Sequence, residues 1–437
     1  LAPNSTHHVD SLPLEKSTAL LLESSGYKNN EANQQFAEKI ATELGCLPLA
    51  LAHAGAYILS RQCLDTYLET YRENHSQLLE CKFNMLHDYP HSVATTVEMS
   101  FKKLSTRVQD LLGLLSHLDA RSIPRSIIEK AALRRFRHVA KVTELPLKRE
   151  TVEYADALTR IITPQGDWSS FDFDAMIKEC EKYSLVRSAI QDEEKFYSMH
   201  ILVQSFVQAS YGVVLDHPSS RLVARLLGSA ITVGTRWEYI TFNRSLSPHL
   251  RLIGLDDVTE TGDHYGFGIV FVEVGEGQQA VSHMDRCVEI WTGSLEADSM
   301  IILHAMETLA QSYSTVGKEE KALKLREDVL EKCKSQLGDD HLDTITAVNN
   351  LAFSYSKLGR EKDALPLSED VVEKRRRLLD DDHPHTLAAV NNLATSYSKL
   401  GREKDALPLK EDVVEKRRKL LGDDHLDTLV AVSNLAT

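Results

Sequence analysis

The feature that most constrains this chain is an internal repeat in its C-terminal part. The motif His-Leu-Asp-Thr at residue 341 returns as His-Pro-His-Thr at 383 and as His-Leu-Asp-Thr at 425, a step of 42 residues. Glycine and alanine keep the same step, at Gly275, Gly317, Gly359 and Gly401 and at Ala280, Ala322, Ala364 and Ala406. A fixed period of this length predicts stacked supersecondary units rather than a single globular core.

Each unit is predicted to be a pair of helices. In the copy that begins at residue 341, apolar side chains recur at helical spacing, at Val348, Leu351, Ala352 and Tyr355. Gly359 is expected to end this helix in the left-handed conformation. A second helix is expected over about 361–379, mildly kinked but not broken by Pro366. Since a lone hairpin cannot bury its own apolar stripe, the units are predicted to stack into a solenoid with a concave groove.

The pattern Asn-Leu-Ala-x-x-Tyr-x-x-x-Gly-x-x-x-x-Ala in these units resembles the tetratricopeptide repeat. The usual repeat has about 34 residues, and the longer unit here resembles the kinesin-light-chain type. Residues 259–437 are therefore predicted to be such repeats, degraded near residue 260, and we expect the array to be truncated at its C-terminal end. The resemblance implies that the groove binds a protein or peptide.

The copies differ at three positions on one face of the first helix, which lines the groove in tetratricopeptide solenoids. These positions read His304, Thr346, Ala388, Val430; Glu307, Asn349, Asn391, Ser433; and Gln311, Phe353, Thr395, Thr437. We interpret this variation as a ligand-reading surface; drift at exposed sites after duplication is the alternative. The groove is predicted to bind a peptide backbone through asparagine amides, acidic groups through lysines and an apolar group through Phe353. The amides and lysines are Asn349, Asn350, Asn391, Asn392, Lys357 and Lys399.

The composition of the chain argues against several classes of protein. Fifty Lys and Arg residues against 64 Asp and Glu give a formal net charge of −14 over 437 residues, which disfavours nucleic-acid binding. The sequence has no run of about 18 apolar residues, so no membrane span is predicted. The six cysteines are scattered without Cys-x-x-Cys spacing, which favours buried thiols in the cytoplasm and no metal.

The first 85 residues are predicted to be helical. One helix should end at Gly45 and the next should begin at Pro48, with small residues after it that allow close helix packing. A helix-packing joint explains this motif by itself. Gly-Cys-Leu-Pro-Leu-Ala at 45–50 also resembles the Gly-Leu-Pro-Leu-Ala signature of NB-ARC signalling ATPases, with Cys46 as an insertion. The resemblance implies a helical ARC-like subdomain over 1–85, in which Pro48 packs against the adenine of ADP or ATP.

Residues 86–211 are predicted to form helices followed by a β-hairpin. We expect helices over 93–104 and 108–118, a third from Ile123-Pro124, and a fourth from about Asp174 to Tyr183. Strands over 184–190 and 195–200 should then pair across residues 191–194, before a helix over 201–211. This order describes a winged helix, with 141–170 as a surface insertion and 212–258 as a helical linker to the repeats.

The predicted winged helix resembles the one that follows NB-ARC cores in fungal members of that class. Met199-His200-Ile201 stands at the family's Met-His-Asp signature. The resemblance implies that His200 contacts the ADP β-phosphate and holds the protein off, while Ile201 departs from the signature. The segment 178–182 is charge-balanced, whereas a DNA-reading helix would be basic.

An intact family member also needs the phosphate loop G-x-x-x-x-G-K-[ST]. The only Gly-Lys pair is Gly317-Lys318, inside a repeat. We therefore expect no catalysis and no cofactor for this mainly α chain alone, and interpret it as a fragment whose nucleotide-binding core is missing. The leading hypothesis is the non-catalytic relay and sensor part of an NB-ARC (STAND, NLR-like) signalling protein. The alternative is a kinesin-light-chain-like cargo or scaffold adaptor, and a transcriptional regulator is a third.

Overall fold

A computed structural model describes residues 12–80, 91–137, 149–232, 237–294, 299–423 and 425–435. The chain divides into two compact units, Leu1–Thr232 with Thr241–Asp263, and Val233–Ile240 with His264–Thr437. Both units consist mainly of helices, and the described strands are few and short. The predicted mainly α fold is therefore confirmed.

The first unit begins with four helices. They are α1 (Leu14–Ser25), α2 (Glu31–Glu43), α3 (Pro48–Arg61) and α4 (Tyr67–Glu80). Gly45 and Cys46 both have positive φ, 66° and 55°, and turn the chain from α2 into α3. The predicted close packing is present, since a Cβ added at Gly55 of α3 would lie 1.9 Å from Ser24 Oγ of α1.

Six further helices and three strands follow. They are α5 (His91–Phe101), α6 (Thr106–Leu115), β1 (Ile123–Pro124), α7 (Arg125–Leu133), α8 (Arg149–Ile162), α9 (Ser170–Glu181), β2 (Arg187–Gln191), β3 (Glu194–Ser198) and α10 (Ile201–Ser210). The strands form an antiparallel sheet in the order β1-β3-β2, with Ile123 opposite Tyr197. The predicted hairpin forms with a tighter turn than expected, because Asp192 and Glu193 alone connect its strands, both at positive φ.

Two expectations for this region need correction. Ile123-Pro124 does not start a helix: it pairs with β3, and α7 begins at Arg125. The predicted fourth helix begins at Ser170 rather than near Asp174, since Ser169 caps its N-terminus. In addition, the stretch predicted as an insertion contains α8, one face of which is buried, a packing role that the sequence reasoning did not foresee.

The region expected to be a helical linker is mostly helical. It contains β4 (Val213–Val214), β5 (His217–Pro218), α11 (Ser219–Ala230), α12 (Trp237–Leu250) and a short 3-10 helix (Leu255–Asp257). Most of α11 is buried against α7 and α8. Arg225 of α11 forms a buried ion pair with Asp263 (Nη1 to Oδ2, 3.1 Å). This helix is therefore part of the core of the first unit.

The second unit is a run of antiparallel helices in which each helix from α14 onward packs on the next. They are α13 (Thr261–Glu273, of which residues 264–273 belong to this unit), α14 (Gly277–Ser294), α15 (Met300–Thr315), α16 (Glu319–Leu337), α17 (Leu342–Lys357), α18 (Glu361–Leu379), α19 (Pro384–Lys399), α20 (Glu403–Leu421) and α21 (Leu426–Leu435). Gly359 has φ 72°, the predicted left-handed turn, and α18 continues through Pro366. The predicted solenoid is confirmed. Within the described ranges no helix is long and apolar enough to cross a membrane.

Candidate functional site

The three variable positions of the first helices lie outside the buried core of the repeats. His304, Gln311 and Thr346 are exposed, and Phe353 is 39% exposed. The remaining members of the earlier copies are half-buried, namely Glu307, Asn349, Ala388, Asn391 and Thr395. Val430 and Ser433 are exposed in the last copy, and Thr437 lies outside the described residues. These side chains define the groove face of α15, α17, α19 and α21.

A row of amide hydrogen bonds joins successive first helices along this face. Asn392 Nδ2 donates to Asn349 Oδ1 (3.3 Å), and Asn434 Nδ2 donates to Asn391 Oδ1 (3.1 Å). One copy earlier, Asn350 forms the corresponding bond with Glu307. We call this row the asparagine rail. Asn349 Nδ2 also donates to Asn350 Oδ1 (3.5 Å), whereas Asn391 takes part in the rail through its Oδ1. The NH₂ group of Asn391 is therefore the better candidate for donating to a ligand.

Two predicted groove residues form hydrogen bonds with a buried arginine that sequence reasoning missed. Arg326 of α16 is 1% exposed. It donates to Glu307 Oε1 (Nε, 3.1 Å) and to Gln311 Oε1 (Nη2, 3.3 Å). Burial raises the pKa of Glu307, against the opposing effect of Arg326. These two groove residues are therefore held by an internal cation and are less available to a ligand.

The signal for Arg326 lies in the sequence of the second helices, which also differ between copies. The equivalent residues at the 42-residue step are Ser368 and Lys410. Lys410 is also buried, at 6% exposure. The second helices therefore vary beneath the groove just as the first helices vary on its surface.

The two lysines that were predicted to act alike differ in their surroundings. Lys399 Nζ lies 3.0 Å from Glu361 Oε1 and donates to Ser356 Oγ at 2.7 Å. Lys357 Nζ lies 5.3 Å from the centroid of the Phe353 ring, and no ion pair joins it to a residue in the described part of the chain. Lys357 is thus the better placed of the two to meet an acidic ligand.

The two threonines of the groove donate their hydroxyl protons within their own helices. Thr346 Oγ1 donates to Leu342 O and Thr395 Oγ1 to Asn391 O, both at 2.9 Å. Arg375, another buried cation, donates to Thr346 Oγ1 (3.2 Å), and burial lowers the pKa of Arg375. These threonines can therefore offer a ligand only their acceptor lone pairs.

In the first unit, Pro48 is the first residue of α3 and His200 caps the N-terminus of α10. His200 Nδ1 accepts from the backbone N–H of Leu202 (3.2 Å). Burial, and then the charge of Arg187, lower the pKa of His200. The charge of His200 affects the pKa of His53 of α3, a residue that sequence reasoning did not single out.

His53 is 1% exposed, and its Nδ1 lies 3.3 Å from Tyr183 O. Burial lowers the pKa of His53 to about 4, and the charges of His200 and Arg187 contribute to this shift. His53 therefore joins α3 to the segment that directly follows α9. Among the described residues no cluster of three His, Cys, Asp or Glu side chains could hold a metal ion.

Comparison with known proteins agrees with the fold of the second unit. Residues 260–335, 315–376 and 343–419 match the family described as tetratricopeptide repeat. The helices over these residues are therefore tetratricopeptide repeats, as the sequence predicted. No curated protein matches the chain.

Several solved structures are similar to the chain. The nearly identical TPR-like repeats of a kinesin light chain from Podosopora anserina share 22% identity over 46% of this chain and 95% of that one, with a TM-score of 0.35. A STAND protein with a tetratricopeptide repeat sensor from Pyrococcus horikoshii shares 14% identity over 98% of this chain and 56% of that one, with a TM-score of 0.42. A Rap protein complexed with Competence and Sporulation Factor shares 13% identity over 67% of this chain and 77% of that one, with a TM-score of 0.36.

Proposed function

We propose that the groove face of the repeats binds an extended segment of a protein partner. The observation that carries this proposal is the asparagine rail, because it presents an amide of the same kind once per repeat beside side chains that change from copy to copy. A regular row of amides suits a peptide backbone, and the changing neighbours suit the selection of its side chains. Phe353 adds an exposed apolar contact.

A peptide array probed with the full chain tests this function. Phe353→Thr installs the residue that the next repeat carries at this position, Thr395, so the scaffold should tolerate it. Bound peptides should lose affinity by about tenfold, the equivalent of about 1.4 kcal/mol. Leu378→Thr removes another exposed apolar side chain, on a second helix (44% exposed), and should leave binding unchanged. Equal effects of the two substitutions would refute groove binding.

We further propose that the first unit is the relay of an NB-ARC-type (STAND) signalling protein. The domains would be an ARC-like subdomain over 1–85, a winged helix over 86–211 with an insertion near 141–170, a linker over 212–258 and the sensor repeats over 259–437. Support comes from the order of the family-like motifs along the sequence. It also comes from the contact of His53 of α3 with Tyr183 O, and from the effect of the charge of His200 on the pKa of His53.

The residues present fit one contact to a nucleotide. Because Nδ1 of neutral His200 accepts a backbone N–H, its Nε2 carries the ring proton and can donate to a phosphate. Arg187 adds positive charge nearby. Pro48 would pack against adenine as the family resemblance implies. The sequence holds no G-x-x-x-x-G-K-[ST] loop to cradle the phosphates, so we propose that this chain binds ADP or ATP only together with a nucleotide-binding core.

Isothermal titration of ADP and Mg²⁺ tests this part of the proposal. The chain and its His200→Ala variant should both bind more weakly than about 10 µM, roughly −6.8 kcal/mol. Addition of a nucleotide-binding core from an NB-ARC protein should restore binding to the chain and less so to the variant. Tight binding by the chain alone, lost in the variant, would show that the first unit forms a pocket by itself.

The alternative proposal is a kinesin-light-chain-like cargo or scaffold adaptor without a nucleotide switch. Both proposals share the groove and a non-catalytic, cytoplasmic role, and differ in whether nucleotide alters partner binding. The fungal origin belongs to the first proposal. Peptide affinity measured with and without ADP, in the presence of the core, separates them: an adaptor keeps the same affinity, whereas a switch changes it.

A further inference from the structure

Two successive repeats carry a carboxylate at the start of the second helix. Glu361, the first residue of α18, is 7% exposed, and Glu319, the first residue of α16, is half-buried. A carboxylate in such a place is stable only with a cation or with hydrogen bonds. In the later junction, Glu361 forms an ion pair with Lys399 Nζ (3.0 Å) and accepts a hydrogen bond from Ser356 Oγ (2.7 Å).

The earlier junction uses a different cation for the same purpose. Glu319 Oε1 lies 3.5 Å from Arg326 Nη1 and accepts from Ser354 Oγ at 2.6 Å. The same Nη1 donates to Ser354 Oγ at 2.7 Å, so the serine connects the guanidinium and the carboxylate. The equivalent of Arg326 in the next repeat is Ser368, and it provides no charge for Glu361.

The lysine at the end of the following first helix also lies differently in the two repeats. Lys357 is one 42-residue step before Lys399, so its equivalent partner would be Glu319. Its ammonium instead lies over Phe353, with no ion pair to the described residues. The guanidinium of Arg326 lies 5.8 Å from the same ring. At the earlier junction Glu319 is already satisfied, because it accepts hydrogen bonds from Ser354 and Ser314 and lies beside Arg326, a cation that it shares with Glu307 (3.1 Å).

We propose that Arg326 is a positioning residue which, by neutralising Glu319, leaves Lys357 on the groove surface to bind an acidic side chain of the partner. This inference rests on the proposed groove function and names the class of its ligand. The site consists of the Lys357 ammonium beside the exposed ring of Phe353. It fits a segment that carries a carboxylate next to an apolar side chain, because each group then meets its complement. Lys399 is not such a site, since Glu361 already holds it.

Lysine reactivity tests the positioning role without any ligand. The chain is treated with a limiting amine-acylating reagent, and modification of Lys357 and Lys399 is quantified by peptide mass spectrometry. Lys357 should react about fivefold faster, the factor that corresponds to about 1 kcal/mol for a half-exposed ion pair. Glu361→Gln should raise the reactivity of Lys399, whereas Glu319→Gln should leave Lys357 unchanged. A rise at Lys357 in Glu319→Gln would mean that the two are already paired, which overturns the proposal.

Arg326→Ser copies the residue of the next repeat and should lower the reactivity of Lys357 to that of Lys399. The double variant Arg326→Ser with Glu319→Gln should restore it, a result that simple loss of packing cannot give. Should Arg326→Ser fail to fold, which circular dichroism reports, the two single glutamine variants still decide the question. Unchanged reactivity in a folded Arg326→Ser protein contradicts the proposal.

Two probe peptides then test the ligand class separately. A nonapeptide with alternating Glu and Leu should bind the chain, and its Gln-for-Glu counterpart should bind about fivefold more weakly, the equivalent of about 1 kcal/mol. Lys357→Ala and Arg326→Ser should both abolish this preference. Normal lysine reactivities with no preference between the peptides would retain the positioning role and refute acidic recognition. Failure of both peptides to bind, with groove ligands found on the array, would also refute it.

Discussion

The buried histidines make the first unit sensitive to acid, and His249 gives the clearest test. Its Nδ1 accepts the backbone N–H of Asp119 at 3.0 Å, and the residue is 1% exposed. Burial lowers the pKa of His249 to about 4 from 6.5, against the opposing charge of Asp119. The folded protein therefore holds the neutral ring, while the unfolded chain takes up a proton below about pH 6.5.

The sign and the size of the effect follow from this lowered pKa. Stability from His249 is complete above pH 6.5 and is lost as the pH falls towards 4. The difference between the two pKa values, at about 1.36 kcal/mol for each pH unit, corresponds to about 3 kcal/mol. His53, with its pKa also lowered to about 4, adds to the same decline. The first unit should accordingly lose stability steeply between pH 6.5 and pH 4.

The informative variant is His249→Asn, since the amide oxygen can accept the Asp119 N–H but does not titrate. Urea denaturation at a series of pH values, with hydrogen exchange in α6 to identify the first unit, measures the difference from the wild type. Asn should be the less stable residue at about pH 7 because it leaves a small cavity. Its disadvantage should shrink by about 3 kcal/mol by about pH 4. His304→Asn, at an exposed groove site, controls for the substitution. Parallel pH profiles of wild type and His249→Asn would refute the argument.

Three further substitutions have outcomes set by particular contacts, each measured as the free energy of unfolding. Gly55→Ala should cost about 1–3 kcal/mol, because its Cβ would meet Ser24, and adding Ser24→Gly should recover part of this. Gly338→Ala should cost about 1–2 kcal/mol, because Gly338 has φ 83° and ψ 168°; no atom lies within 4 Å of the new Cβ, so a second-site change should not rescue it. Tyr397→Phe should cost about 1 kcal/mol, the worth of the hydrogen bond to Glu369 Oε1 (2.6 Å), and no loss would contradict this.

The sequence predicted best what is encoded locally. The helices of the repeats follow from apolar spacing and from glycines such as Gly359, whose left-handed conformation depends on its own backbone. The strand at Ile123-Pro124 could not be predicted in this way, because it exists only through pairing with Phe196 and Tyr197, which lie far along the chain. Two residues carry no periodicity of their own.

The groove shows the same division. Its surface positions were identified from the variation between copies, and the structure places them outside the core. The different surroundings of Lys357 and Lys399 were only partly predictable from their neighbours, which differ at Phe353 against Thr395. They depend on whether residue 326 or residue 368 of the preceding second helix carries a charge.

The regular spacing of the asparagine rail would allow a ligand to bind in more than one register. Neighbouring helices pack about 10 Å apart, and an extended chain advances about 3.3 Å per residue, so one rung corresponds to about three ligand residues. Because the rungs at Asn349 and Asn391 are chemically alike, a ligand that used them alone could shift by one rung at no cost. Phe353 occurs on one rung only, so a ligand with a matching apolar side chain is bound in a single register.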